Sequence, residues 1–330
     1  MKNADFLSSR RLGLACVMAT LVAVLPLRAF SQAYPTKPVK VLVGFTAGGA
    51  VDLIARSVGQ AMQAGLGQPM VVENKPGAGT NIAMKALIDA PPDGYTLMLT
   101  ANSIAANPAL YKPAPFDPEK DVAPVALVGR VPVVIAANAT SPYTSVAQLI
   151  QAAKGKPNTI AYGSPGNGAT PHMAMEFFTR AAGVDLQHIP YKGGSQAITD
   201  AIGGQIPLVA VNALEVLPHV KSGKLRVIAV LSPNRSSIYP DVPTIAESGF
   251  PGFEASVWYG FIAPAATPKA VVERLHAEVE KALQNPEVRA RLANAGGEVL
   301  PGSTEQFAAL IRAERQRYDK LVREANIKPD

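Results

Sequence analysis

The fold class follows from residues 39–54, Val39-Lys40-Val41-Leu42-Val43-Gly44-Phe45-Thr46-Ala47-Gly48-Gly49-Ala50-Val51-Asp52-Leu53-Ile54. The apolar run 39–45, bounded by Pro38, has the length of a buried strand. Thr46-Ala47-Gly48-Gly49 interrupts it, and Leu53, Ile54, Val58, Met62 and Leu66 then recur at helical spacing. Strand, glycine loop and helix follow one another. Next come a strand over 70–73, a helix over 82–90 and a strand over 95–100, the last opened by the turn Pro91-Pro92-Asp93-Gly94. Strands that alternate with helices predict an α/β fold built on a parallel sheet.

A long apolar strand over 131–137 breaks the series, and the alternation then restarts. Helices over 146–154, 171–182, 197–202 and 214–221 are interleaved with strands over 159–162, 186–189, 208–211 and 226–231. A stretch with Pro240, Pro243 and Pro251 leads to a second long strand over 255–263, which holds the single tryptophan, Trp258. Three helices close the chain. Thr267-Pro268 starts the first, Asn285-Pro286 the second, and the capping-box pair Ser303 and Gln306 the third. The simplest topology has two lobes, 34–132 with 256–330 and 133–255, joined by two crossings. Such a pair of crossings permits closure about a cleft and suits ligand capture.

The totals exclude other classes. With 330 residues, 48% hydrophobic and 17% charged, the chain can bury a large core and is no disordered tail or disulfide-stapled miniature. Its net charge of +6 invites a nucleic-acid partner. The first 33 residues weaken that invitation: Lys2, Arg10 and Arg11 precede an apolar stretch and Ser31-Gln32-Ala33, as in a secretory signal peptide cleaved after Ala33. Loss of residues 1–33 removes four basic groups and one acid, which leaves about +3, and removes the only cysteine, Cys16. The exported protein then has no thiol for a disulfide, a nucleophile or a metal.

In parallel α/β sheets, ligands bind where strand ends enter helices whose free N–H groups attract anions. Four such junctions are rich in glycine or small polar residues: 45–52, 100–103, 163–172 and 191–195. They supply the candidates Ala47, Gly48, Gly49, Asp52, Ala101, Asn102, Ser164, Asn167, Thr170 and Lys192, with Asn212 after a later strand. Taken singly, each loop reads more readily as ordinary punctuation; four of them converging from both lobes favour an anion-binding cleft. Asp52 could cap its helix or meet the ligand, Lys192 could meet an anion or lie in solvent, and Asn212 could reach the cleft or cap the next helix. His172 without a visible partner reads as a packed histidine.

Enzymatic patterns fail. Gly77-Ala78-Gly79 begins a dinucleotide motif, but Ile82 stands at the third glycine. The Gly166 loop lacks a P-loop lysine, and Ser164 and Ser195 lack the context of a nucleophile elbow. His172 and Glu176 lie one turn apart without a third metal ligand. The basic residues form no run interleaved with aromatics, which disfavours nucleic acid.

Other motifs carry a family resemblance. They are Tyr34-Pro35-Thr36-Lys37-Pro38-Val39, Ala47-Gly48-Gly49 with Asp52 and Arg56, Val72-Glu73-Asn74-Lys75-Pro76-Gly77-Ala78-Gly79, Pro92-Asp93-Gly94-Tyr95-Thr96-Leu97, Gly166-Asn167-Gly168 with His172, Pro190-Tyr191-Lys192-Gly193-Gly194 and Asp241-Val242-Pro243-Thr244. Through them nearly the whole exported chain resembles the substrate-binding proteins of tripartite tricarboxylate transporters, the Bug family of periplasmic receptors.

The resemblance implies a type II, two-lobe periplasmic-binding-protein fold that closes on a small carboxylate. The first loop, here Ala47, Gly48, Gly49 and Asp52, would grip a carboxylate through backbone groups and waters; Ser164, Asn167 and Thr170 would close over it. It also implies delivery to a membrane permease of large and small subunits, or to a sensor. A monomer with no cofactor, metal or nucleic acid is expected.

Thr46 and Ala47 replace prolines common in the family, Val51 replaces a frequent Thr, and Val211 a frequent Asp before Asn212. With that carboxylate gone, an amino acid's ammonium lacks a partner, which favours a non-amino dicarboxylate or an aromatic carboxylate. The rival class is a periplasmic hydrolase of a carboxylated substrate. It needs an activated nucleophile, and the sequence offers none with a credible base.

Overall fold

The computed structural model describes residues 34–294, 296–325 and 327. The expected signal peptide, 1–33, lies outside the described residues. Tyr34 and Thr36 lie in bends, and the body described below begins at Lys37.

The body opens with β1 (Val39–Val43), α1 (Ala50–Leu66), β2 (Met70–Asn74), α2 (Asn81–Ile88), β3 (Thr96–Thr100) and α3 (Ser103–Leu110). Strand β4 (Val122–Asn138) follows, then α4 (Val146–Ala153), β5 (Ala161–Ser164), α5 (Thr170–Ala182), β6 (Gln187–Pro190), α6 (Gly194–Ile202), β7 (Leu208–Asn212), α7 (Ala213–Lys221) and β8 (Leu225–Val230). The chain ends with β9 (Ser256–Pro264), α8 (Lys269–Gln284), α9 (Pro286–Asn294), β10 (Glu298–Val299) and α10 (Thr304–Ala325).

Local chemistry explains most of these elements. In α1 the apolar positions Ile54, Val58, Met62 and Leu66 are buried along one side, and Gly67 ends the helix in the left-handed region, donating to the Gln63 carbonyl. Helix α3 escapes sequence reading because every one of its residues is buried and Pro108 lies inside it. A helix buried all round has no amphipathic period to detect.

The fold is the two-lobe periplasmic-binding-protein type, and its sheet corrects one expectation. Pairing is parallel within each half, β1 with β2 and β3, and β5 with β6 and β7. The long strands β4 and β9 run antiparallel to their neighbours. β4 starts at Val122, well before the expected 131, because Pro124 and two register shifts hide its first part from any alternation pattern. From Val122 to Pro132 it pairs with β9, and from Val133 with β7.

Each half has its own core. Leu42, Met84, Leu87, Met98 and Ile262 pack with Phe307 and Ile311 of the C-terminal helix. Val134, Ile198, Val209, Val211 and Val230 form the other core. Gly260 on β9 is required by close packing: a Cβ there would stand 2.2 Å from the Phe307 ring, which is fully buried and meets Trp258 edge to face. Gly260→Ala should therefore destabilise the protein by about 1–3 kcal/mol, read from urea unfolding. Adding Phe307→Leu should recover part of the loss; an unchanged midpoint in Gly260→Ala would contradict this packing.

Candidate functional site

Five helix starts converge where the two halves face each other. A cavity of about 20 Å³ is lined by Ala50 and Val51 of α1, Ala101 ahead of α3, Thr170 and Pro171 of α5, Gly194 of α6, and Asn212 and Glu215 at the start of α7. That volume suffices for about one water, since a site needs roughly 10–15 Å³ to hold one. A larger cavity of about 270 Å³ flanks the crossing strands beside Arg130 and Ser256, away from these helix starts.

Caps on these helices lack an engaged side chain. The N-cap residues Gly49, Ala169 and Gly193 carry no side-chain oxygen, and Asn212 makes no cap bond of its own. First-turn N–H groups that their own N-cap side chains leave free, together with the helix dipoles, favour an anion at this point.

The loop before α1 is shaped by Asp52. Its carboxylate accepts from the Gly48 N–H at 3.0 Å, the Asn74 amide at 3.0 Å and Arg56 Nε at 3.0 Å. Burial works to raise its pKa, but Arg56, the Gly48 N–H and Asn74 outweigh burial and hold it below the usual carboxylate value. Asp52 thus faces its own loop, where Gly48 takes φ 82°, and does not line the cavity.

The other sequence candidates separate into two groups. Gly49, Ala101, Thr170 and Asn212 line the cavity. Ala47 and Gly48 are exposed, and so is Lys192, which brings its carbonyl to the Thr46 N–H at 3.4 Å. Asn102 is spent on the crossing strand: its amide nitrogen donates to the Ser256 carbonyl at 3.3 Å and to Glu314 at 3.0 Å, and its oxygen accepts from the Trp258 N–H at 3.0 Å. The Asn167 carbonyl abuts Gly79 of the first lobe. Thr46 Oγ1 and Ser195 Oγ also meet across the cleft, at 3.4 Å.

Ser164 belongs to a buried cluster behind its loop. Its hydroxyl lies 2.7 Å from His188 Nε2 and accepts from the Gly166 N–H at 3.1 Å. The His188 ring stacks on His172 at 4.0 Å. His172 Nδ1 in turn accepts from the Gly168 N–H at 3.2 Å, while its Nε2 lies 3.7 Å from Glu176. These contacts fix the path of residues 164–168, and Ser164 does not line the cavity.

Glu215 was not among the sequence candidates. Its Oε1 accepts from the Asn212 amide at 2.7 Å and, across the cleft, from the Ala50 N–H at 3.3 Å. Its Oε2 is buried without a hydrogen-bond partner, as are Asn212 Oδ1, Thr170 Oγ1 and the Tyr259 hydroxyl. Burial pushes the Glu215 carboxyl up; Asn212 and the Ala50 N–H pull against that. The signal was present as an acid three residues after a cap-type Asn, the spacing of a capping box.

Residues 54–327 match the sequence profile of the tripartite tricarboxylate transporter family receptor, TctC. Among solved structures, the periplasmic binding protein BugD is 34% identical with a TM-score of 0.86, over 90% of this chain and 100% of BugD. Rpa4515 of R. palustris with adipate is 33% identical with a TM-score of 0.85, over 90% of this chain and 100% of Rpa4515. MatC (Rpa3494) of Rhodopseudomonas palustris with bound malate is 30% identical with a TM-score of 0.84, over 88% of this chain and 100% of MatC.

His172 makes stability depend on pH. An unfolded imidazole takes up a proton near pH 6.5. In the fold, burial first and His188 second hold His172 neutral well below that value. Below about pH 6.5 the native state thus binds fewer protons than the unfolded one. The stability His172 contributes is whole above that pH and is lost as pH falls, at up to about 1.4 kcal/mol per pH unit. Glu176, whose carboxyl burial pushes up, acts in the opposite sense. Urea midpoints between pH 7.5 and 5 should therefore fall more steeply in the natural protein than in His172→Asn, whose amide oxygen still accepts from Gly168; parallel profiles would refute the assignment.

Proposed function

The chain belongs to the tripartite tricarboxylate transporter receptor family, and from that premise we propose that it is a periplasmic receptor that captures a small carboxylate by lobe closure and delivers it to a transporter of the same tripartite type. Receptors of this family bind solutes and are not enzymes. The observation that carries the reading is the convergence of uncapped helix starts from both lobes on one cavity.

In this mechanism residues 1–33 direct export and are removed. The lobes, 34–132 with 256–330 and 133–255, hinge where β4 exchanges β9 for β7, a division supported by the change of partner between Pro132 and Val133. The solute enters the open cleft, and its carboxylate settles on the start of α1, whose loop Asp52 holds in shape. The second lobe then brings α5, α6 and α7 over the remainder. Opening is required for entry, since the closed cavity holds about 20 Å³.

A dicarboxylate or an aromatic carboxylate is the favoured solute. The adipate and malate bound by the similar proteins support the first. Val211, in place of a carboxylate, disfavours an amino acid on sequence grounds, but Glu215, one turn into α7, supplies a carboxylate to the cavity.

A thermal-shift screen of mono-, di-, tri- and aromatic carboxylates tests the ligand class. A true ligand at a hundred times its Kd adds about 2.7 kcal/mol to the native state, and silence from every carboxylate would overturn the reading. Closure has its own test. Gly79 has φ +58°, and a Cβ on it would stand 2.4 Å from the Asn167 carbonyl across the cleft. Gly79→Ala should abolish ligand-induced compaction in small-angle scattering; full compaction in that variant would contradict closure through this contact.

A further inference from the structure

We propose that Glu215, with Asn212 and Thr170, forms an amine-recognising wall in the cleft, so that the solute is a carboxylate that also carries a protonated amine. This rests on the carboxylate-receptor reading above and specifies the solute further.

Three observations carry it. First, acceptors without partners converge. Glu215 Oε2, Asn212 Oδ1 and Thr170 Oγ1 are all buried and unpartnered, and all three residues line the same cavity. Thr170 and Asn212 are each only 4% exposed. A carboxylate and an amide oxygen can only accept hydrogen bonds from a ligand, and a hydroxyl can do so as well. A purely anionic group can take a hydrogen bond from the Thr170 hydroxyl but offers the Glu215 and Asn212 oxygens nothing. An ammonium carries three N–H donors, as many as there are oxygens here.

Second, the carboxylate belongs to the second lobe and not to the closure contact alone. Asn212 on the same helix start binds Oε1 at 2.7 Å, against 3.3 Å for the Ala50 N–H of the first lobe. Gly194 makes room for the other oxygen: a Cβ there would stand 1.8 Å from Oε2. When the lobes part, Glu215 keeps its bed, and the Ala50 N–H is released to the solute's carboxylate.

Third, the charges need a cation. Among the described residues that line the cavity, Glu215 is the only charged side chain. A solute bearing only carboxylates would place like charges together in a closed, low-dielectric site. An amine facing Glu215 cancels that repulsion and makes charge-assisted bonds, about twice as strong as neutral ones.

The test is isothermal titration of the full exported chain and of Glu215→Gln with three probe pairs: aspartate and succinate, glutamate and glutarate, 4-(aminomethyl)benzoate and 4-methylbenzoate. The natural protein should prefer the amine of at least one pair by tenfold or more. Glu215→Gln should reduce that preference to within about threefold by weakening the amine while the amine-free partner holds or gains affinity. A natural protein that binds amine-free carboxylates as well as their amines overturns the inference and leaves the carboxylate reading intact. So does a uniform gain of affinity for all probes in Glu215→Gln, which would make Glu215 only a plug on the start of α1. Silence from all six probes in the natural protein overturns the inference, and the carboxylate reading falls with it only if the wider carboxylate screen is silent as well. The comparison within the natural protein stands even if Glu215→Gln fails to fold.

Discussion

One strand shared by two sheets dictates where everything else lies. β4 is antiparallel to β9 over its first part and to β7 and β8 over its last. Antiparallel pairing fixes direction. Asn212, the last residue of β7, is opposite Val133, and β3 runs toward the end of β9 that begins at Ser256, opposite Pro132. The carboxyl ends of both parallel sets therefore point at the same junction. Because helices leave from those ends, their amino termini must meet there. No side chain is needed to bring the cleft into being.

That geometry concentrates partial positive charge, each helix start contributing roughly half an elementary charge. An oxygen-bearing cap on each helix would satisfy the donors and blunt the attraction. The N-caps at this junction are instead Gly49, Ala169 and Gly193, which cannot do so, and Asn102 and Asn212, whose side chains turn to the Ser256 carbonyl, Glu314 and the Trp258 N–H and to Glu215. One of the first-turn donors, the Ala50 N–H, is met by the Glu215 carboxylate across the cleft, so the start of α1 already holds an anionic group when the lobes are together.

How much of this is legible in the sequence depends on whether a signal is local. The strand, glycine loop and helix of residues 39–66 are local, and they appear as β1 and α1 with bounds shifted by a residue or two. Helix α3 is hidden because total burial erases its period, and the first part of β4 because Pro124 and two bulges interrupt alternation. Within the cleft, Gly49, Thr170 and Asn212 are legible as residues where strands pass into helices. Asn102 looks the same in sequence, yet its side chain is consumed by Ser256, Glu314 and Trp258, all more than 150 residues away.

Asp52 and Glu215 show where local reading ends. Each is the third residue of a helix, after the caps Gly49 and Asn212, so each occupies the position of a capping-box acid. Asp52 is short, and Arg56 and Asn74 stand within its reach, so its charge is neutralised on its own side of the loop. Glu215 is one methylene longer and has no basic neighbour among the described residues that line the cavity. Its carboxylate extends past its own helix start to the Ala50 N–H, 165 positions away. The same sequence signal therefore yields a structural brace in one lobe and a charged wall in the other. What separates them is the inventory of cations within a few ångströms, which only the packing of distant segments determines.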